Sequence, residues 1–130
     1  MANAKTVGSS IGYTVEITNT LNAGLVSGRF IKSDGSDYAS TADLSAGVTF
    51  GAEPGQLVCA DNEEVSLAVS GVVAVQAGAA VARFAKVESN AAGKAITLNA
   101  GILRGVALDE ATADGDPIRV LLTTLNGTVA

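Results

Sequence analysis

The chain has no histidine and no tryptophan, and only one cysteine, one methionine and two prolines among 130 residues. Each absence removes a class of function. Without histidine there is no imidazole to act as the base of a nucleophilic pair, to move protons near neutral pH or to ligate a metal. The lone Cys59 excludes an intrachain disulfide. It lies in the apolar run Leu57-Val58-Cys59-Ala60 and reads as a small buried hydrophobe without a base beside it. Aromatic residues make up 4% of the chain, with Tyr13 and Tyr38 the only tyrosines. A carboxylate pair for glycoside hydrolysis would therefore lack its sugar platforms. No phosphate loop is present either. Gly93-Lys94 has Glu88 where the first glycine of that motif belongs, and Gly24, Gly28, Gly47, Gly51, Gly101 and Gly105 fit bends in strands rather than a dinucleotide fingerprint. The expectation is a protein that is not an enzyme and uses no cofactor.

Positive charge is also scarce. Eight basic against thirteen acidic residues give a net charge of −5 and a pI near 4.5. Nucleic-acid binding needs a basic footprint, and none is legible. No basic amphipathic stretch suggests a membrane surface. The longest apolar run, Val72 to Ala82, is interrupted by Gln76 and Gly78 and is too short for a membrane span. The first residues lack the basic-then-apolar pattern of a secretory leader, so synthesis in a cytoplasm is expected.

What the chain does have is 48% hydrophobic residues, mostly Ala, Val, Leu and Ile, and fifteen glycines. That composition favours closely packed strands joined by tight turns. It also repeats itself. Ala23-Gly24-Leu25-Val26-Ser27-Gly28-Arg29-Phe30-Ile31-Lys32 returns as Ala77-Gly78-Ala79-Ala80-Val81-Ala82-Arg83-Phe84-Ala85-Lys86. Each copy leads to a Gly-Val step, Gly47-Val48 and Gly105-Val106, then to an acidic turn and a β-like run, Val65–Val69 and Ile118–Leu122. A duplicated unit without reactive residues at matching places reads as a scaffold.

Residues 1–10 are small and polar, without periodicity. Ile11, Tyr13, Val15 and Ile17 then alternate with polar residues, the strongest strand signal in the chain. Further strands are expected at Arg29–Lys32, with Phe30 and Ile31 on opposite faces, at Leu44–Phe50 with a bend at Gly47, and at Val65–Val69. The second unit adds Arg83–Val87, Ile96–Leu98, Ile102–Leu108 and Ile118–Leu122, the last opened by Pro117. Residues 71–82 fit strands around Gln76-Ala77-Gly78 or a short helix, and residues 109–116 fit a helical turn or a long turn. Strands punctuated this regularly predict a mainly β protein: a compact barrel or sandwich built from a duplicated β unit, with at most one or two short helical turns and an extended N-terminal arm. The expected division is an arm with one strand over residues 1–22 and a single β-rich domain over 23–130, with the internal repeat at about 23–70 and 77–125.

Three groups of residues invite a functional reading. The acidic clusters Asp34-Gly35-Ser36-Asp37 and Asp109, Glu110, Asp114, Asp116 are either solvated turns or oxygen donors for calcium, although neither has the spacing of the twelve-residue calcium loop. Arg29, Lys32, Arg83 and Lys86 are half of all basic residues and recur with the repeat; they either pair with turn carboxylates or form a basic face for an acidic partner. The strand from Ile11 to Thr18 either completes the protein's own sheet or adds to the edge of a partner's sheet.

The segment Gly105-Val106-Ala107-Leu108-Asp109-Glu110-Ala111, continued by Gly115-Asp116-Pro117-Ile118-Arg119-Val120-Leu121-Leu122, resembles the C-terminal signature of small phage head decoration proteins, or capsid cement proteins. Val69-Ser70-Gly71-Val72-Val73 followed by Ala77-Gly78 is similar to the middle of that family, and the resemblance spans about residues 20–125. It implies a structural virion protein on the outer capsid surface, made in the host cytoplasm. It also implies the major capsid protein as partner, a homotrimer at three-fold and quasi-three-fold positions, and stabilisation of the expanded head against internal DNA pressure. An arm reaching onto the lattice would place Asn3, Lys5, Thr6, Val7, Ile11, Tyr13 and Val15 at the capsid, with Arg29, Lys32, Arg83 and Lys86 as basic residues turned towards the partner. Other β-rich virion components (tail, baseplate or head-fibre subunits) and a small calcium- or carbohydrate-binding module are the competing expectations.

Overall fold

In a computed structural model of the chain, the described residues are 10–18, 24–32, 38–40, 45–59 and 63–128. They form twelve strands: β1 (Ser10–Ile11), β2 (Thr14–Thr18), β3 (Leu25–Val26), β4 (Phe30–Lys32), β5 (Ser45–Thr49), β6 (Leu57–Cys59), β7 (Glu64–Ala68), β8 (Gly71–Gln76), β9 (Lys86–Ser89), β10 (Ala95–Thr97), β11 (Ile102–Ala107) and β12 (Pro117–Thr128). A six-stranded sheet runs β1-β8-β12-β11-β9-β10, a four-stranded sheet β2-β7-β5-β4, and β3 pairs with β6 alone. The sandwich alternative therefore describes the molecule; none of the three sheets closes into a barrel.

Side-chain alternation explains the stacking. In β4, Phe30 enters a cluster with Val48, Ala68, Val73, Val75, Ile118 and Val120, which fills the space between the four- and six-stranded sheets. Its neighbour Ile31 points the other way, into a second cluster with Leu25, Cys59, Val65 and Leu67 beneath the β3–β6 pair. Strands β4, β5 and β7 of the four-stranded sheet are thus covered on both faces, and β7 accordingly buries both Leu67 and Ala68. Cys59 is one of the buried side chains of the second cluster, as its apolar setting predicts. Two charged residues are also buried. Arg104 donates to the Ser40 carbonyl at 3.0 Å and lies over the Phe30 ring, while Glu88 accepts from the Asn99 amide at 3.2 Å.

The alternating segment from Ile11 to Thr18 is not one strand but two. β1 pairs with β8, Ser10 opposite Val72 and Ile11 opposite Gly71. β2 pairs with β7, from Thr14 opposite Ala68 to Thr18 opposite Glu64. The register is the same in both ladders, with no residue gained or lost between them. The bend falls at Gly12-Tyr13 against Val69-Ser70, where Gly12 N donates to Ser70 O at 3.0 Å and Val69 N to Tyr13 O at 2.9 Å. The Ser70 hydroxyl accepts from Tyr13 N at 2.9 Å. One antiparallel ribbon therefore leaves the six-stranded sheet and enters the four-stranded one.

The strand expected from Arg83 starts only at Lys86. Ala85 N donates to Ala82 O at 3.1 Å and Phe84 N to Ala107 O at 2.7 Å, so residues 82–85 form a turn. Residues 71–76 are strand rather than helix, and residues 108–116 contain no helix. There the Asp116 carboxylate organises the loop, accepting from Thr112 N at 2.9 Å, Thr112 Oγ1 at 3.0 Å and Ala113 N at 3.1 Å. Residues 1–9 and the turn at 33–37, with its two aspartates, lie outside the described residues.

Two expectations about glycine hold at the level of atoms. Gly47, opposite Ile31 in the β4–β5 pair, leaves no room for a side chain: a Cβ there would stand 2.7 Å from Ala68 O and 2.9 Å from Leu67 Cβ. Gly105 sits where the β11–β12 register shifts, and a Cβ would overlap the Leu121 carbonyl and lie 2.8 Å from Val120 Cγ1. The obstacle is backbone, which cannot step aside. Gly105→Ala is expected to lower unfolding stability by about 1–3 kcal/mol, the usual cost of overpacking, as read from denaturant midpoints.

A second prediction concerns acid. Arg119 clasps Asp109 with Nε to Oδ2 at 2.9 Å and Nη2 to Oδ1 at 2.9 Å, and its backbone N adds a third bond to Oδ2 at 3.0 Å. The side-chain hydrogen bond from Arg119 is the main reason that the Asp109 carboxyl titrates below its ordinary value. Asp116 is lowered too, first by the backbone donation from Thr112. Both groups bind protons more weakly folded than unfolded. Their contribution is therefore complete above the unfolded carboxylate value of 3.8 and is lost as pH falls through the lowered folded values. Urea midpoints are expected to drop on acidification below about pH 4, with a smaller drop in Asp109→Asn.

Candidate partner-facing surface

The four expected basic residues do not share one environment. Arg29 is engaged internally: Nε donates to Gln76 Oε1 at 2.8 Å and Nη1 to Ala92 O at 3.1 Å, and the guanidinium lies 5.4 Å from the Tyr38 ring centre. Lys32 is half-buried at the end of β4. Arg83 and Lys86 are exposed, on the turn before β9 and at its first residue. Neither forms an ion pair among the described residues; the pairs there are Lys94–Asp114 at 2.9 Å and Arg119–Asp109 at 2.9 Å.

Of the expected arm residues, Asn3, Lys5, Thr6 and Val7 lie outside the described residues. Ile11 is half-buried against the main core, whereas Tyr13 is 77% and Val15 41% exposed. Val15 lies in β2, at one margin of the four-stranded sheet, and Tyr13 in the bend that leads into it. Two other margins are covered. The outer side of β4 is bridged at Ile31 by Tyr38, and β10 is bridged at Ala95 by Ala77. β2 has no such cover among the described residues and contains no lysine, proline or bulge to discourage a further strand.

The outer face of the six-stranded sheet shows a row that sequence reasoning missed. Lys86 pairs with Val106, Val106 with Leu121, and Leu121 with Val72, so four side chains from adjacent strands share one face. The next row, Ala107, Val120 and Val73, is buried in the core. The first row therefore faces solvent, with Leu121 46% exposed. Alternation within β12 carried the signal: Leu121 has the parity of Arg119, not of Ile118 and Val120.

Beyond this row stands Phe84, 64% exposed, with the Arg83 guanidinium 4.8 Å from its ring centre. Its φ of 68° is the one positive value among the described non-glycine residues. A bulky side chain in that region costs about 1–3 kcal/mol of backbone strain. No local signal distinguishes Arg83-Phe84 from its sequence twin Arg29-Phe30; the difference lies in what packs on each.

The acidic cluster at residues 109–116 does not converge on a common point. Asp109 is held by Arg119, Asp114 by Lys94, and Asp116 by its own loop. Among the described residues no three acidic or cysteine side chains gather as a metal site would require. No helix there is long and apolar enough to cross a membrane.

Comparison with known proteins agrees with a structural role. No curated protein matches the chain. Among solved structures, the N-terminal base of the bacteriophage phi29 head fiber gp8.5 shares the fold, with a TM-score of 0.52 at 14% identity, over 88% of this chain and 98% of that one. The family profile described as phage cement protein matches residues 9–122, nearly the whole sandwich. The chain therefore belongs to the phage cement protein family, and is a structural protein of the phage head.

Proposed function

We propose that this chain binds the outer surface of the capsid and ties neighbouring major capsid subunits together, so that the expanded head withstands the pressure of packaged DNA. The observation that carries the reading is the family match across residues 9–122. On this reading the chain is made in the host cytoplasm and joins the shell as a homotrimer at three-fold and quasi-three-fold positions. The fold supplies suitable means. The open margin of β2 offers backbone groups to an extended capsid segment, with Tyr13 and Val15 as side-chain contacts. Asn3, Lys5, Thr6 and Val7 precede this margin and would extend the contact along the lattice. Repetition over a shell multiplies weak contacts into firm attachment.

Three measurements test this. Mass spectrometry of purified heads is expected to find the chain in molar amounts comparable to the major shell protein. Trace amounts would reject decoration in favour of a minor virion component. Heads stripped of the chain should release DNA at a lower temperature and recover on adding it back. Deleting residues 1–9 leaves both described ladders of the ribbon in place and is expected to weaken binding to stripped heads; unchanged binding would remove the arm from the interface.

A further inference from the structure

Phe84 is hard to explain by the fold that contains it. Its backbone occupies a region that glycine or asparagine enters more readily, and its ring gains little burial in return. A fold selected only for stability would place glycine at this turn. The residue makes sense if the ring is buried elsewhere, against another molecule.

Its surroundings indicate what that molecule offers. The exposed Arg83 lies against the ring and the exposed Lys86 follows two residues on; neither forms an ion pair among the described residues, although the Arg83 charge is felt by Asp109. The row Val106, Leu121 and Val72 continues from Lys86 across the sheet as apolar surface. An aromatic residue with adjacent cations beside an apolar strip has the make-up of an interface anchor. The chain as a whole is acidic, with a net charge of −5; Arg83 and Lys86 give this part of the surface two exposed cations that an acidic partner can meet.

We infer that Phe84, with Arg83 and Lys86, anchors the outer face of the six-stranded sheet in an apolar recess edged by carboxylates on a capsid subunit. The inference rests on the capsid-binding role proposed above and adds a second contact, on the other main sheet from β2. Strain at Phe84 is tolerated because an aromatic ring is worth more to the complex than a relaxed turn is to the free protein.

The test compares Phe84→Gly and Phe84→Asn with the parent in two measurements: denaturant unfolding of the free protein, and co-sedimentation with stripped heads across a salt series. Both variants are expected to match or exceed the parent in stability, since either residue accepts the turn. Both are expected to bind heads about 30-fold more weakly, the loss typical of a central anchor. Arg83→Glu with Lys86→Glu should weaken binding and flatten its salt dependence. Unimpaired binding by the Phe84 variants would overturn the inference and leave the capsid role standing. Parent protein that fails to bind heads would overturn both. Loss of stability in step with loss of binding would make Phe84 a packing residue and overturn the inference. So would a change in the oligomeric state of the free protein, since the recess would then belong to a second copy of this chain.

Discussion

The architecture depends on one ladder of backbone hydrogen bonds. Residues 10–18 and 64–72 run antiparallel in a single register, yet the first part belongs to the six-stranded sheet and the second to the four-stranded one. A slip of one residue would exchange the inward and outward faces of both strands at once. The bend at Gly12-Tyr13 and Val69-Ser70 is fixed by backbone bonds and the Ser70 hydroxyl. With the ribbon shared, the sheets cannot separate or slide independently, and the space between them is set.

The side chains that fill that space account for the composition. Phe30 is the one fully buried aromatic ring of the core between the main sheets, among Val, Ala and Ile, with Phe50 partly buried against it. Within each sheet the strands also leave little tolerance for added atoms, as Gly47 against β7 and Gly105 against β12 show. Because the middle sheet has a core on each side, adjacent residues in one strand can both be apolar. Phe30-Ile31 and Leu67-Ala68 are such pairs, and a simple two-sided alternation does not describe them.

The same economy shapes the surface. Charged groups that could perturb the fold are held in place: Asp109 by Arg119, Asp116 by its own loop, and Arg29 by Gln76 and the Ala92 carbonyl. Two exposed places stand out among the described residues, the margin of β2 and the turn at Phe84. They lie on different main sheets, an arrangement suited to a protein that touches more than one neighbour. A cement protein needs rigidity between its contacts, and the shared ribbon supplies it.

Sequence alone determined the class of the fold and the class of the function. Alternation at Ile11–Thr18, the regular turns, Pro117 at a strand start and the glycines inside strands all follow from local sterics, which act wherever the segment ends up. The missing histidine and the scarcity of positive charge constrained the chemistry for the same reason, since no fold can supply groups the chain lacks. The Gly-Val-Ala-Leu and Arg-Val-Leu-Leu steps of the C-terminal half carried the family. Tertiary structure decided the rest. The break of Ile11–Thr18 into two strands depends on where residues 64–72 bend. The fates of Arg29-Phe30 and Arg83-Phe84 diverge although the letters agree: Phe30 lies between two sheets and is buried, while Phe84 is tied by its amide to Ala107 at an exposed turn. Burial is a property of what comes to lie opposite, and that is set by distant residues through the packing of the whole domain.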